Sequence, residues 1–547
     1  METPATVAVV GLGPLGLVTL KNLVEEGLDA TGFDMADVVG GLWNFSDEGD
    51  QTTVLESTVS NISKQRACFT DFPFSKGEHS PHVLRSRSNR GLSQLQPRLP
   101  RSHTPTYPVA RHVQKYLCDY AEHFGLGPRM RLGTEVLAVE HDETSGRWRV
   151  ETAAVMGGAA ASGSSGTGKT TTARTTEERW FDKVVFATGI NKAPVTPQVE
   201  GIERFEGETV LIVGFSNSAV DTATTLAGHA KHVYIARRHD AFVLPRIVDG
   251  KPLDHGFNHR KALVLRAAKA CLPAAASDAM MRRVLTATHL KGMHGVAAAT
   301  ASQQLPLPSA VALDLAAAPL PNRTPPVISD SIFHEVLAGR VELVRALQRI
   351  DGPRAVLLHD GRRIDDIDAI VFCTGYQAEY SLAGEHDPTR EQPPGWTAAP
   401  GSNGRRLPRL YRNIFSLDLP HSLAFMGCIA FASPAFQLYD LASLALARQA
   451  RLVRLAEDGG GSVIPGWVDG DEWMAWADDV AGTGVLPRLG YGPAGWAFWL
   501  RDRRLCGLLM DGISSPHVYR LFETGKRRAW KGAREEIFRI NAERSDD

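Results

Sequence analysis

The stretch VAVVGLGPLGLVTL, Val7–Leu20, reads as an apolar strand that runs through a glycine turn into a helix. Its centre, GLGPLG, has the spacing GxGxxG, in which the three glycines permit a tight turn, a close approach of backbone to a pyrophosphate, and close packing of helix on strand. Free N–H groups and the dipole at the N-terminus of such a helix favour an anion. The stretch therefore predicts a dinucleotide site, and the residues expected to contact the ligand are Gly11, Gly13, Pro14, Leu15 and Gly16.

An acidic residue, Asp34, ends the next predicted strand in ATGFD. A carboxylate at this position accepts hydrogen bonds from ribose hydroxyls and repels a 2′-phosphate. The first site is therefore expected to bind FAD or NAD rather than NADP. A βαβ unit that binds no ligand is the alternative interpretation.

A second stretch of the same kind, ETVLIVGFSNSAVD, covers Glu208–Asp221. Ser216 and Ala219 stand where the usual pattern has glycines, and both are small enough for a phosphate to approach if Ser216 has an unstrained φ. A Rossmann-like turn that has lost its ligand is the alternative. The turn residues expected to contact a second dinucleotide are Gly214, Ser216, Asn217 and Ser218.

Two arginines, Arg237 and Arg238, follow the next predicted strand in YIARRH. An arginine at this position can bind an adenosine 2′-phosphate through charge-assisted hydrogen bonds. A solvated pair of surface arginines is the alternative. The acidic end of the first unit and the basic end of the second together predict FAD in the first site, NADPH in the second, and hydride transfer between them.

Three stretches, GLGPLG, GFDMADVVGGLW and STVSNISKQRACFTDFPF, resemble the flavin-containing monooxygenase family, including its N-hydroxylating and Baeyer–Villiger relatives. The resemblance implies that Asn61 is the catalytic residue, whose amide contacts the flavin, retained NADP and the bound oxygen. A turn-forming asparagine is the alternative. VFATG and VFCTGYQAEY resemble the family's two crossings between its domains. The flavin-contacting residues that the resemblance implies are Gly41, Leu42 and Trp43.

The same resemblance implies an enzyme that uses FAD and NADPH to transfer one oxygen atom from O2, through an adduct at the flavin C4a atom, to a small organic substrate. N- or S-oxygenation, as in N,N-dimethylaniline monooxygenases, is the first expectation, and Baeyer–Villiger oxygenation is the alternative. The family's linker motif FxGxxxHxxx(F/Y/W) is incomplete, because Phe205 and Gly207 lead directly into the second strand. A nucleotide-binding homologue that does not turn over, or that only oxidises NADPH, is therefore a further alternative.

The fold class expected is α/β, with two Rossmann-like dinucleotide-binding domains and a C-terminal helical region. An amphipathic helix is predicted near residues 110–124, and antiparallel strands are predicted in TEVLAVEHD and GRWRVETAAV. The domain bounds expected are 1–206 for the first part of the FAD-binding domain, 207–330 for the NADPH-binding domain, 331–450 for the second part of the FAD-binding domain, and 451–547 for the helical extension.

Composition argues against several classes of partner. The 60 Lys and Arg residues nearly balance 61 Asp and Glu residues, so no overall field attracts nucleic acid. The 6 cysteines include no CxxC pair, which argues against disulfide reduction and a zinc site. The chain has no apolar run of ~18 residues. We therefore expect a cytoplasmic protein without an integral membrane anchor, acting on a small molecule and O2, and leave a homo-oligomer open.

Three motif matches lack the context that their chemistry needs. GSSGTGKT, Gly163–Thr170, has the spacing of a phosphate-binding loop but no apolar strand before it and no predicted helix after it. His255 and His259 have the spacing of metal ligands on a helix, but Gly256 interrupts that helix and no third ligand is near. Asn322 begins a glycosylation sequon that a cytoplasmic protein does not use. We expect no metal and no ATP.

Overall fold

The computed structural model describes most of the chain and leaves several segments undescribed. The GSSGTGKT match and Asn322 lie outside the described residues. The described residues are 3–45, 52–74, 104–155, 175–189, 193–194, 205–301, 313–321, 324–396, 406–428, 433–451, 470–524 and 530–546.

Strands and helices alternate up to residue 428, and helices dominate after it, which confirms the α/β class. The strands are β1 Thr6–Val10, β2 Asp29–Phe33, β3 Met130–Arg131, β4 Thr134–Asp142, β5 Arg147–Ala154, β6 Thr176–Phe181, β7 Lys183–Phe186, β8 Ala193–Pro194, β9 Thr209–Val213, β10 His232–Arg237, β11 Val243–Leu244, β12 Ile247–Val248, β13 Lys251–Pro252, β14 Val327–Ile328, β15 Val341–Arg345, β16 Leu347–Ile350, β17 Val356–Leu358, β18 Arg363–Ile364, β19 Ala369–Phe372, β20 Tyr376–Gln377, β21 Leu410–Tyr411, β22 Phe415–Ser416 and β23 Leu423–Phe425. The helices are α1 Pro14–Glu25, α2 Ala110–His123, α3 Asn217–Leu226, α4 His259–Cys271, α5 Ala274–Ala301, α6 Ile332–Leu337, α7 Ala435–Arg451, α8 Gly470–Ala481, α9 Val485–Arg488, α10 Pro493–Arg501, α11 Arg503–Asp511 and α12 Ala533–Asp546.

The first sheet has the strand order β21-β22-β23-β7-β1-β2-β3. Its central strand β1 pairs in parallel with β2 and with β7. Four of the five β1 side chains are buried, as expected for a parallel strand that is covered on both faces. The glycine turn after β1 therefore lies at the carboxyl edge of the sheet, where ligands bind in folds of this class.

A three-stranded antiparallel sheet, β4-β5-β6, covers one face of the first sheet and confirms the antiparallel strands predicted there. Trp148 on β5 is fully buried and packs in one cluster with Phe33 of β2 and Phe186 of β7. The predicted helix is α2, and Tyr116, Leu117 and Tyr120 of its apolar face are buried. The antiparallel sheet packs with Ala8 and Val10 of β1, and α2 belongs to the cluster of Val7 and Val9, so they lie on opposite faces of the first sheet.

The second sheet has the order β15-β10-β9-β19, and all its strands run parallel. Helices α3 and α6 pack on one face, and the β-meander β16-β17-β18 packs on the other. The sheet includes Ala369–Phe372, whereas the expected bound of the second domain was residue 330. Because a parallel strand must lie beside β9 to complete the sheet, we propose that the second dinucleotide-binding unit ends after Phe372.

The stretch between β13 and β14, which carried no prediction, contains α4 and α5. None of the side chains of α4 is buried. His289 of α5 is buried and lies 3.1 Å from the backbone nitrogen of Val243 in β11. Helix α5 thus lies beside β11, whereas α4 lies against the C-terminal region, where Arg260 pairs with Asp511 of α11.

The C-terminal helices pack on the first unit, with α7 against α1 and α8 against α7. Trp473 is fully buried and donates a hydrogen bond to the carbonyl of Arg412, at 3.1 Å. Trp473 thus anchors α8 in the core, whereas Trp496 and Trp499 of α10 are exposed. Within the described residues, no helix has the length and apolar character needed to span a membrane.

Candidate active site

Gly11 forms the first turn in a backbone conformation that other residues rarely adopt, with φ at +95°. Its N–H donates to the carbonyl of Phe33 at the end of β2, at 2.8 Å. A Cβ atom at Gly11 would lie 2.7 Å from the carbonyl oxygen of Ala187, and a Cβ atom at Gly16 would overlap the carbonyl of Gly11. The turn therefore needs glycine at both positions, as the GxGxxG spacing predicts.

Gly13 and Gly41 bring two backbone segments into contact. Gly13 precedes α1, and a Cβ atom at Gly41 would lie 3.0 Å from the Cα atom of Gly13. Pro14 occupies the first turn of α1, where its missing N–H costs no helical hydrogen bond, and no side chain caps the helix. The N–H groups of the first turn, beginning with Leu15, are therefore the donors that α1 offers to an anion.

Asp34 lies against this turn. Its Oδ2 atom accepts a hydrogen bond from the backbone N–H of Leu12 at 2.6 Å, and Oδ1 accepts from that of Ala36 at 2.9 Å. Burial raises the pKa of Asp34, and the two backbone donors oppose that effect. Each oxygen retains a lone pair, so the carboxylate can still accept from a ribose hydroxyl.

Leu42 and Trp43 lie in a short 3-10 turn, Gly41–Trp43, next to the first glycine turn. The carbonyl of Leu42 accepts a hydrogen bond from Val54, at 2.9 Å. Trp43 is half-buried and packs against the core of the first unit. The structure thus brings all the residues predicted for the first site to one edge of the first sheet.

The second turn repeats this geometry. Gly214 has φ at +126°, and a Cβ atom there would overlap the carbonyl oxygen of Cys373. Ser216 precedes α3 with φ at −142°. Serine adopts this extended conformation without strain, so it can stand where the usual pattern has a glycine. Ser216 and Ser218 are exposed. The side chain of Asn217 is engaged within the protein, because its Oδ1 accepts from the N–H of Ile328 at 2.8 Å.

The two crossings predicted from VFATG and VFCTGYQAEY meet the two turns in the same way. The carbonyl of Ala187, after β7, faces Gly11, and the carbonyl of Cys373, after β19, faces Gly214. Strands β8 and β20, which continue from the crossings, pair with each other. In each unit, the residue that follows the last residue of the crossing strand therefore packs against the glycine turn.

The two arginines predicted to bind a 2′-phosphate have different environments. Arg237 is buried and pairs with the buried carboxylate of Asp240. Burial lowers the pKa of Arg237, and the nearby charge of Arg345 lowers it further. Arg238 is exposed, and so is Arg345, which pairs in register with Arg237 on the neighbouring strand β15. Among the described residues, Arg238 and Arg345 have no acidic partner, so the surface charge at this strand end is positive.

Asn61 lies in the segment Ser57–Ser63, between the two units. Its Oδ1 atom accepts a hydrogen bond from Arg246 Nη2 at 3.0 Å. The start of the segment contacts the second unit through Ser57 Oγ and Thr225 Oγ1 of α3, 3.2 Å apart. The segment that carries Asn61 thus contacts both units, since the N–H of Ser60 also donates to the carbonyl of Pro108, just before α2.

Sequence reasoning missed the groups that hold this segment. Arg246 directly precedes β12, Asp254 lies in the 3-10 turn after β13, and Asp330 follows β14. No motif marks these residues in the sequence. They could have been noticed only as charged residues within otherwise apolar or turn-forming stretches. His255 and His259 lie in two separate elements, a 3-10 turn and α4, and the described residues contain no cluster of metal-ligand side chains.

Comparisons with known proteins show which proteins this chain is similar to. Residues 5–90 and 98–387 match the model of the flavin-binding monooxygenase-like family. The chain is 38% identical over 577 residues to monooxygenase aurF of Gibberella zeae, with 98% of both proteins covered. It is 28% identical over 394 residues to dimethylaniline monooxygenase (N-oxide-forming) 2 of Rattus norvegicus, covering 68% of this chain and 61% of that protein.

Among solved structures, Tmm from Pelagibacter sp. strain HTCC7211 aligns with a TM-score of 0.50 at 15% identity, over 99% of this chain and 92% of that one. A mutant flavin monooxygenase from Stenotrophomonas maltophilia aligns with a TM-score of 0.50 at 16% identity, over 83% of this chain and 99% of that one. At such identities the likeness concerns the fold alone.

Proposed function

The chain belongs to the flavin-binding monooxygenase-like family, and on this premise we propose that it binds FAD at the first turn and NADPH at the second, and transfers one oxygen atom from O2 to a small organic molecule. The observation that carries the proposal is the matched geometry of the turns. Gly11 and Gly214 both have positive φ, and each faces the carbonyl of a crossing strand. Two such turns in one chain are suited to two dinucleotides.

The residues at the first turn fit FAD. Gly13 and Gly41 leave a surface without side chains, on which a pyrophosphate can rest. The uncapped N-terminus of α1 would donate backbone hydrogen bonds to the phosphates, beginning at Leu15. Asp34 would accept from the ribose, and its negative charge disfavours a 2′-phosphate there.

The residues at the second turn fit NADPH. Ser216 and Ser218 are exposed at the N-terminus of α3, which no side chain caps. Arg238 and Arg345 supply positive charge at the ends of β10 and β15. A 2′-phosphate bound by Arg238 would distinguish NADPH from NADH, and Arg345 is the second candidate for that role.

The flavin, when bound, supplies the redox and oxygen chemistry, so the protein needs no nucleophile or acid–base triad. Its residues bind the two nucleotides, present the Asn61 amide at their junction and keep water away. Burial raises the pKa of the Cys373 thiol to about 11, so this cysteine is neutral near pH 7 and is not poised for thiolate chemistry.

We propose N- or S-oxygenation as the reaction. The support is the rat relative's name, which describes a dimethylaniline monooxygenase that forms N-oxides. Heteroatom oxygenation needs a soft nucleophilic substrate and no proton transfer from a protein side chain, which agrees with a site built around an amide.

Stoichiometry tests the proposal. The purified protein, supplied with NADPH and O2, is offered panels of tertiary amines, thioethers and ketones, and NADPH, product and hydrogen peroxide are each counted. We expect N- or S-oxide formation equal to NADPH consumption. Peroxide equal to NADPH would indicate an uncoupled oxidase, an ester from a ketone would indicate Baeyer–Villiger oxygenation, and a protein that neither carries nor takes up flavin would overturn the assignment.

A further inference from the structure

We propose that Arg246 is a positioning residue that fixes the orientation of the Asn61 side-chain amide and thereby presents its N–H groups, rather than its oxygen, to the site between the nucleotides. The effect that we expect of Arg246 on turnover rests on the proposed function. The orientation of the Asn61 amide rests only on contacts within the protein.

The guanidinium of Arg246 makes three hydrogen bonds to one short segment. Nη2 donates to Asn61 Oδ1 at 3.0 Å and to the carbonyl of Val59 at 3.0 Å. Nε donates to the carbonyl of Ser60 at 3.0 Å. Because the guanidinium is planar and its donors are fixed relative to one another, these bonds define the position of the segment as well as that of the side chain.

Arg246 is itself held in place by the second unit. Its side chain is only 9% exposed, and its Nη1 atom lies 3.1 Å from Asp330 Oδ2. Its backbone N–H donates to Asp330 Oδ1 at 2.7 Å, and its carbonyl accepts from the hydroxyl of Tyr107 at 2.7 Å. The guanidinium therefore has little freedom to follow Asn61, and Asn61 must adapt to it.

A carboxamide has one acceptor and one donor edge, and the two interchange when the group rotates by half a turn. With Oδ1 bound to a buried cation, rotation would place the Asn61 NH2 group against the arginine donors. A hydrogen bond to a charged group is worth roughly 1.5–3 kcal/mol, so the rotated form is disfavoured on the order of tenfold or more. Asn61 therefore offers hydrogen-bond donors away from Arg246.

A second anchor holds the same segment without Arg246. The backbone N–H and hydroxyl of Ser63 both donate to Asp254 Oδ2, at 2.9 and 2.8 Å. The N–H of Ser60 donates to the carbonyl of Pro108, at 2.8 Å. Removing the guanidinium should thus free the amide and loosen the segment locally without detaching it from its second anchor, which separates positioning from folding.

The test compares Arg246→Met with Arg246→Lys, Asn61→Asp and the control Arg282→Met. Arg282 is an arginine of the second unit that donates to the carbonyls of Leu315 and Ala318, away from Asn61. Methionine keeps the length of the stem without donors, and lysine keeps the charge without the planar fork. Asn61→Asp keeps the acceptor for Arg246 and removes the NH2 donors.

For each purified holoprotein, flavin reduction by NADPH, the ratio of peroxide to product, and hydrogen exchange in residues 57–63 are measured. We expect Arg246→Met and Asn61→Asp to raise the ratio of peroxide to product by about tenfold while NADPH still reduces the flavin, with Arg246→Lys between them and wild type. Exchange at 57–63 should accelerate in Arg246→Met, and Arg282→Met should match wild type in every measurement.

If Asn61→Asp loses the coupling of NADPH consumption to product formation and Arg246→Met keeps it, the role of Arg246 is overturned. Unchanged coupling in both variants would remove Asn61 from the site, and the role of Arg246 with it. If the wild type makes no product, the proposed function fails. Hydrogen exchange then still tests whether Arg246 holds residues 57–63, and unchanged exchange in Arg246→Met would overturn that role.

Discussion

Single residues decide which charges are available to a ligand, and the ends of β10 and β15 illustrate this. Two adjacent arginines in the sequence predicted one phosphate site. In the folded chain Arg237 is neutralised by Asp240, and Arg345, distant in sequence, lies beside it. A parallel sheet brings together the ends of strands that no local pattern connects.

We expect Arg238→Ala to raise the Michaelis constant for NADPH about tenfold and to change that for NADH little, because a charge-assisted bond is worth roughly 1.5–3 kcal/mol and only NADPH carries the 2′-phosphate. Steady-state kinetics with both coenzymes measures the difference. Arg283→Ala, at an exposed arginine of α5, is the matched control. Equal losses with both coenzymes would locate the phosphate elsewhere.

Asp221 on α3 predicts a pH dependence of stability. Burial raises its pKa to about 6, although the charge of Arg246 opposes the shift. The folded state therefore binds the proton more tightly than the unfolded state, so this group's contribution to stability falls as pH rises from about 4 to about 6.

Replacing Asp221 with Asn should remove that fall and stabilise the protein above pH 6 by about 2 kcal/mol, after allowance for partial exposure. Denaturant unfolding of both proteins between pH 4 and pH 7 measures the change. A constant difference across this range would show that Asp221 does not titrate there.

At the scale of elements, the glycine turns were predictable because strand, turn and helix are adjacent in the chain. Gly11→Ala should prevent FAD binding, since its Cβ atom would lie 2.7 Å from the carbonyl of Ala187 at a φ of +95°. Gly125→Ala is the matched control, because Gly125 has φ at +61° with no atom within 4 Å of the added carbon.

We expect the control to keep its flavin and to lose about 1–2 kcal/mol of stability from backbone strain alone. The ratio of flavin to protein absorbance measures the first effect, and denaturant unfolding measures the second. A flavin-replete Gly11→Ala protein would argue against the first turn as the FAD site.

The C-terminal boundary of the second dinucleotide-binding unit was harder to predict than its glycine turn. Strands β15 and β19 are short apolar runs separated by the meander β16-β17-β18. Nothing in those runs says which sheet they join, because pairing is decided by backbone hydrogen bonds between distant segments. The expected bound was residue 330, whereas the second sheet continues to Phe372.

At the scale of the whole molecule, a buried ionic cluster links the first helix to the C-terminal region. Lys21 of α1 and Arg520 both pair with Asp71, and Arg520 also lies 3.7 Å from Asp440 of α7. Burial acts to raise the pKa of Asp71, but the charges of Arg520 and Lys21 outweigh it and hold the pKa below its usual value. The cluster therefore depends on both cations.

We expect Arg520→Met to destabilise the protein by about 3–5 kcal/mol, because it removes a buried cation that pairs with Asp71 together with Lys21 and that also faces Asp440. Lys291→Met, which breaks the exposed pair with Asp249, is the control and should have little effect. Denaturant unfolding of the two variants measures the difference. Equal midpoints would mean that the cluster does not secure the C-terminal region.

The sequence by itself determined the α/β class, the two glycine turns and the family, because each of these depends on residues that are close together in the chain. Only the tertiary structure decided that Arg237 is neutralised, that Arg345 lies beside it, that Ala187 and Cys373 close the two turns, and that Arg246 holds Asn61. These contacts join residues far apart in sequence. Their energies come from burial and from hydrogen-bond geometry, and neither exists until the chain has folded.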